Sequence, residues 1–499
     1  MHKKTAVVIG SGVAGLAIAT RLAIQGFHVK VYETNAYPGG KLSAFEQDGF
    51  RFDAGPSLFT QPWNIEELFE EAGEPVADYF AYHQVGESCR YFFENGKLVT
   101  AYSDVEKFAV EMEVKLGEPS TVTRRYLSDA KSLYKNIGHV FLNHSLHKRK
   151  TWLHARVLRA VQSLKFSYLF NSLHHYNQKK FKSPEAVQIF NRFATYNGSN
   201  PYKAPAMLSL IPHLELNEGV FFPKGGMISI TNALYKLAET KGVQFHFNTA
   251  VERIVYTENQ TLGVVVQQRN VRADVVVSNA DVYFTYKNLL HHPGKAKKVL
   301  KQERSSSALI FYWGINKSFD QLGLHNIFFS KSYKEEFHHI FNRGSISDDP
   351  TVYLNITSKE EPADAPAGRE NWFVMVNVPA NSGQNWEALK LQTRKNVILK
   401  LNRLLQTDIE PLIETEAFMD PLDIESRTGS FMGSLYGTSS NSKMAAFKRP
   451  PNFTPYVNNL YFCGGSVHPG GGIPLCLKSA AITASLVKKD QRKKNRVAH

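Results

Sequence analysis

Glycines at positions 10, 12 and 15, followed by an acid at Glu33, are the residues of this chain whose spacing most plainly implies chemistry. They lie in "AVVIGSGVAGLAIATRLAIQGFHVKVYE", Ala6 to Glu33. Gly10 permits a tight turn, Gly12 lets a pyrophosphate approach the backbone, and Gly15 lets a helix lie close on a strand. The phosphates would meet the free N–H groups around Gly12, Val13 and Ala14, where the start of a helix favours anions. Glu33, about 20 residues on, is placed to bond a ribose hydroxyl. The chemistry implied is dinucleotide binding.

Those roles need a strand, a helix and a second strand in that order. "TAVVIG" reads as a short buried strand, Leu16, Ala19, Leu22 and Ala23 recur at helical spacing, and "HVKVYE" is a second β-rich run. The stretch is uncharged from Thr5 to Thr20 behind Lys3 and Lys4, and Arg21 ends it. That is short of the roughly 20 residues of a spanning helix. The glycines, the helical pattern and the second strand also oppose a secretory signal, so the chain is expected not to be secreted.

Length and composition set wider bounds. A chain of 499 residues exceeds what one core usually serves, so two or more domains are expected. Ordinary apolar content argues against global disorder. The net charge of +14 favours acidic partners, either nucleic acid or an anionic membrane surface. No nucleic-acid-binding motif appears, so no nucleic-acid partner is expected. Cys89, Cys463 and Cys476 are odd in number and far apart, which speaks against a disulfide framework. No CxxC pair occurs, and His144, His147, His174 and His175 have no acid among them, so no metal site is expected.

Along the chain, "RYFFENGKLVTAY" reads as a hairpin with Asn95-Gly96 as a two-residue turn. From about Asp104 to Asn197 the pattern is helical. Inside it, His139 to Lys182 holds nine Lys or Arg, six His and no acid. Leu153, Val157, Leu158, Val161, Leu164, Tyr168 and Leu169 form an apolar stripe there, interleaved with Trp152, Phe166 and Phe170. This composition suits a helix lying on anionic lipid. After Phe222, α/β character returns: "PKGGM" precedes a helix, "VQFHF" is a strand, and "VRADVVVSNAD" a buried strand ending at Asn279-Ala280-Asp281. "SALIFYWGIN", "TVYLNIT" and "WFVMVNVPA" suggest a second sheet. "KKDQRKKNRVAH" reads as a frayed basic tail. No triad or paired-carboxylate pattern fixes a base. Glu215 and Glu218 are the acids placed before the Pro-Lys-Gly-Gly turn.

Four further elements carry a family resemblance. Gly39-Gly40-Lys41 follows the ribose acid, and Asp53-Ala54-Gly55-Pro56-Ser57 follows that. Val251 lies in "TAVERI", and "FCGGSVHPGGGIPLCLKSA" closes the chain's last α/β segment. Together with the glycine fingerprint these resemble the FAD-binding amino-oxidase and phytoene-desaturase superfamily, and within it the bacterial carotenoid desaturases. The resemblance implies an α/β fold: a Rossmann-like FAD-binding domain of the amine-oxidase type, an inserted mixed α+β substrate domain, and a helical membrane-associating region. It implies FAD as cofactor, with Lys41 near the pyrophosphate and Gly40, Gly55, Pro56 and Ser57 beside the cofactor. Val251 would meet the adenine through its backbone. Asn279, Gly465, Ser466, Gly472 and Ile473 would complete the site, with a helix start under the flavin ring and His468 close to it. His468 therefore joins Glu215 and Glu218 as a catalytic candidate.

The implied reaction is desaturation of a long acyclic polyene, one hydrogen leaving as hydride to the flavin and the other as a proton. "HPGGGIPL" and Lys41 look most like the 1-hydroxycarotenoid 3,4-desaturases. A phytoene or diapophytoene desaturase, or a ketolase or isomerase relative, stays open, as does a non-catalytic prenyl-binding protein of the same fold. The expected domains are residues 1–85, 215–284 and 450–487 for FAD, 86–103 and 285–449 for substrate, 104–214 as the helical insert and 488–499 as the tail. The protein is expected to sit peripherally on the cytoplasmic face of a membrane. Nothing in the sequence sets its oligomeric state.

Overall fold

The computed structural model describes residues 4–152, 166–443 and 448–497. The opening unit is a strand β1 (Thr5–Ile9), a helix α1 (Val13–Ile24) and a strand β2 (His28–Tyr32). β1 is central in a five-stranded sheet. Val275–Ser278 and then Leu460–Phe462 lie on one side of it, β2 and then Gln244–His246 on the other. All four pairings are parallel, with Val8 opposite both Val277 and Val31. A parallel sheet needs cover on both faces, and the strands alternate accordingly. Ala6, Val8, Val29, Val31, Val275 and Val277 pack with α1 and the helices Ile228–Thr240 and Ile473–Val497. Val7, Ile9, Val276 and Phe462 pack with the three-stranded meander of residues 251–272. Each such valine, isoleucine or phenylalanine, fully buried, contributes about 1.5–3 kcal/mol.

A second sheet has seven strands, in the order Ile413–Met419, Ser307–Ile315, Glu370–Val378, Val352–Ile356, His325–Phe328, Glu87–Phe92 and Leu98–Tyr102. It is antiparallel except where His325–Phe328 runs parallel to Glu87–Phe92. Period-two alternation again separates its faces. Leu309, Phe311, Trp313, Trp372, Val374 and Val376 form a core with the helix Trp386–Leu405. Ala308, Ile310 and Phe373 face the other way, toward the interior of the molecule. A third core joins the helices between Val105 and Asn217 to the sheet through Tyr91, Phe193, Ile327 and Phe329.

Several details differ from the sequence expectations. The hairpin loop holds three residues, Glu94, Asn95 and Gly96, because Phe93 N–H bonds Lys97 O at 3.0 Å. The C-terminal basic residues are helical: Ile473–Val497 is continuous, built from Ala, Leu, Lys and Arg with no breaker after Pro474. The turn His213–Asn217 packs through Leu216 into the helical core rather than onto the five-stranded sheet. Phe50 and Phe52 pack on the seven-stranded sheet. Of the apolar stripe expected over 153–169, Leu153 to Leu164 lies outside the described residues; Tyr168 packs against the helical core. Among the described residues no helix is long and apolar enough to cross a membrane.

Candidate active site

The site begins where β1 hands over to α1. Gly10 has φ +89°, a conformation that other residues adopt only at a cost. A Cβ on Gly15 would lie 2.1 Å from Gly10 O, so only glycine lets α1 sit this close to the end of its strand. A Cβ on Gly12 would meet Asn279 Oδ1 at 2.8 Å. α1 starts at Gly12 with no side-chain cap and no acid in its first turn. Its opening amides and the helix dipole therefore face the cavity without a side-chain cap or a first-turn acid of their own.

Glu33 stands at the end of β2, seven per cent exposed. Its Oε2 accepts from Ser11 N–H at 2.7 Å and Ser11 Oγ at 2.9 Å, and its Oε1 from Asn35 N–H at 2.9 Å. Ser11 thus holds the acid in place, a role the glycine pattern did not single out.

The cavity that opens here measures ≈ 900 Å³. Gly10, Gly12, Val13, Ala14, Glu33, Gly40, Lys41, Gly55, Pro56, Ser57, Val251, Asn279, Gly465, Ser466, Gly472 and Ile473 all line it. Gly15 does not: it lies beneath, where it sets the helix–strand distance. Lys41 Nζ donates to Leu435 O at 2.9 Å and Ser434 O at 3.4 Å. Burial pulls its ammonium down to about 8, against the opposing pull of Asp281. Asp281 itself is paired with Arg304 at 2.9 Å, both nearly inaccessible.

The sequence reading missed one wall. Ile424 to Gly437 runs along the cavity, and Gly471 packs on it so tightly that a Cβ would meet Tyr436 Cδ1 at 2.7 Å. A signal was present in "TGSFMGSLYG": Gly429, Gly433 and Gly437 recur every fourth residue and all have positive φ. Arg449, also missed, ties this wall to the glycine turn by donating to Tyr436 O and Gly465 O, each at 2.9 Å.

Two catalytic candidates are corrected. His468 does not line the cavity. It is three per cent exposed, and its Nε2 lies 2.9 Å from His144 O. Burial, aided by His147, holds the ring neutral by pulling it down to about 4. Glu218 also lies outside the lining, its Oε2 accepting from Gln61 Nε2 at 3.0 Å. Glu215 does line it, but Arg192 Nη2 holds both its oxygens, at 2.7 and 3.0 Å, and Tyr196 OH donates to it as well. The cavity's other carboxylates, Glu33, Asp281 and Glu425, are bonded in turn. Among the described residues lining the cavity, no carboxylate is free to act as a base, and no three His, Cys, Asp or Glu residues are grouped as metal ligands.

The cradle fits FAD. It offers uncapped helix amides for a pyrophosphate, an acid at ribose distance in the chain, and a roomy cavity continuing past both. Lys41 and the start of the helix Ile473–Val497 supply positive potential along its wall.

Fold and cradle define an FAD-dependent oxidoreductase, and comparison with known proteins agrees. A family model described as flavin containing amine oxidoreductase matches residues 13–488, and the chain belongs to that family. Within it, the chain is 49% identical over 484 residues to the 1-hydroxycarotenoid 3,4-desaturase of Flavobacterium sp. (strain P99-3), covering 97% of this chain and 99% of that one. It is 35% identical to the 4,4'-diapolycopene oxygenase of Methylomonas sp., covering 97% and 98%. Solved structures agree on the fold alone. An oxidoreductase from Methanosarcina mazei matches with a TM-score of 0.63 at 16% identity, covering 97% of this chain and 100% of that one. Putrescine oxidase bound to putrescine matches at 0.64 and 14%, covering 97% and 99%.

Proposed function

We propose that this chain desaturates an acyclic polyene bearing a tertiary hydroxyl on carbon 1, forming the double bond between carbons 3 and 4. The observation that carries the reading is the shape of the cavity. It runs from the nucleotide cradle over the interior face of the seven-stranded sheet, where Ala308, Ile310, Ile327, Phe373, Met375 and Met419 form an apolar wall. A long hydrocarbon fits such a wall, and an amine of putrescine's size has no use for it. The 49% identity to a desaturase of this specificity supports the same reading.

The reaction removes a hydride and a proton from neighbouring carbons and leaves a C=C bond between them. FAD, when bound, supplies the hydride acceptor. The protein's part is to orient the polyene and keep water from it. Leu58 and Ile327 supply apolar surface, and Pro56 and Ser57 line the cavity beside them. With every lining carboxylate already bonded, the proton passes to solvent rather than to a carboxylate.

The test is incubation of the FAD-loaded enzyme with a 1-hydroxylated acyclic carotenoid and, separately, with phytoene, followed by absorption spectra and product masses. A red-shift with loss of two mass units on the hydroxylated polyene supports the reading. Activity on phytoene alone, or a product that has gained oxygen, overturns it.

We also propose that the protein binds peripherally to an anionic membrane surface, on the cytoplasmic side, through the acid-free region His139–Lys182. Its nine cations and the exposed Phe170 support this, since a polyene must be drawn from lipid.

A further inference from the structure

On the cavity wall, a compact group of polar side chains interrupts the hydrocarbon surface. Ser88, Arg192, Tyr196, Glu215, His325 and Tyr353 all line the cavity. They come from two strands of the seven-stranded sheet, the end of a third and two helical turns, all far in sequence from the glycine fingerprint. Arg192 Nη2 and Tyr196 OH both donate to Glu215, with Arg192 Nη2 also donating to Tyr91 OH at 2.8 Å. His325 does not end so neatly.

His325 opens the strand His325–Phe328 and shares with Ile327 the face that borders the cavity, while Phe328 packs on the opposite face. Its Nδ1 lies 2.8 Å from Tyr353 OH and 3.1 Å from Asn355 Nδ2. Asn355 Nδ2 also donates to Leu324 O at 3.0 Å, which fixes that amide's orientation. Nδ1 therefore accepts, and the hydrogen of the neutral ring sits on Nε2. Burial, with Arg192 nearby, pushes the ring down to about 3, so it stays neutral at any working pH. Nε2 is buried and has no hydrogen-bond partner. An unpaired buried donor is costly and calls for an explanation. Ser88 Oγ and Arg192 Nε, from the same group, are likewise buried without partners.

We propose that His325 Nε2–H donates to the tertiary hydroxyl of the substrate and so sets which polyenes the enzyme accepts. This rests on the desaturase reading above. The position suits the bond oxidised. Tyr353 OH, which holds His325, also bonds Ser57 Oγ at 2.8 Å, and Ser57 belongs to the loop that borders the FAD cradle. An anchor two hydrogen bonds from that loop fits a reaction whose target carbons lie two and three places from the hydroxylated one. A hydroxyl-free end would leave Nε2–H unpaired in the complex, and sites built to bond a hydroxyl reject such analogues strongly.

The experiment compares wild type, His325→Leu and His325→Gln, each FAD-loaded, on a 1-hydroxylated polyene and on its counterpart with hydrogen in place of the hydroxyl. Turnover and binding, the latter by quenching of protein fluorescence, are measured for each pair. In His325→Leu the loss of kcat/KM on the hydroxylated polyene should exceed the loss on its counterpart by about tenfold or more. His325→Gln, which keeps an N–H, should recover part of the preference, and it carries the test if the leucine variant does not fold. Equal losses on both polyenes overturn the anchor and leave the desaturase reading standing. Wild type that turns over neither polyene, yet binds the hydroxylated one more tightly through His325, overturns the reading and leaves the anchor. Neither turnover nor preference overturns both.

Discussion

Glu33 Oε2 accepts two hydrogen bonds from one residue, Ser11, through its backbone N–H and its hydroxyl. The acid that ends β2 is thereby locked to the turn that starts α1. The two halves of the nucleotide site are tied together through this one residue.

Breaking that lock should loosen FAD before it loosens the fold. Glu33→Gln removes the charge from a carboxylate that takes four hydrogen bonds, two from Ser11 and two from Asn35. Hydrogen bonds to a charged group contribute about 1.5–3 kcal/mol, so FAD affinity should fall by roughly 10- to 100-fold. Titration by flavin fluorescence quenching reads the change. Unaltered affinity would show that Glu33 serves the turn alone.

Two glycine substitutions should separate steric from conformational need. A Cβ on Gly55 would sit 1.7 Å from Lys41 O, whereas one on Gly26 would meet nothing within 4 Å, despite φ +92°. Gly55→Ala should displace the loop and abolish FAD retention. Gly26→Ala should cost only about 1–2 kcal/mol of left-handed strain, seen as a Tm lower by a few degrees with FAD still bound. The reverse order of effects would contradict the packing described.

Lys41 should make FAD binding depend on pH. In the free enzyme burial lowers its ammonium to about 8. An anion bound beside it raises that value again, so the complex keeps a proton that the free enzyme releases. Affinity is then full below pH 8 and falls as pH rises above it, with the sign fixed by linkage. Lys41→Met should bind FAD more weakly and lose this dependence. A variant whose affinity still falls above pH 8 as in wild type would assign the effect elsewhere.

His468→Gln should change stability and not proton transfer. The ring is held between His144 O and the residues around it, outside the cavity. We expect the pH–rate profile to keep its shape while Tm drops, reflecting about 1–2 kcal/mol for a disturbed buried hydrogen bond. Loss of one limb of the profile would restore His468 as an acid or base.

Charge in the acid-free region should govern membrane binding. Replacing Lys150, Arg156, Arg159 and Lys165 with Gln should reduce sedimentation with vesicles containing anionic lipid. Each cation near such a surface contributes about 1 kcal/mol. Undiminished binding rejects this region as the contact.

By itself the sequence determined the nucleotide half of this protein. The interactions there are local: a strand, Gly10, Gly12 and Gly15, a helix and Glu33 are adjacent in the chain, so spacing alone states their geometry. The later positions at Gly40-Lys41, Gly55-Pro56-Ser57 and Gly465-Ser466 were marked by the family resemblance, and the fold brings them to the same cavity. Only the tertiary structure decided the rest. Arg192, Glu215, His325 and Tyr353 are separated by up to 161 residues, the span from 192 to 353, and no local pattern links them. They meet because the seven-stranded sheet brings its strands together in an order unlike that of the chain. Burial then did what spacing cannot: it engaged Glu215, set His468 apart from the cavity, and left His325 Nε2 without a partner.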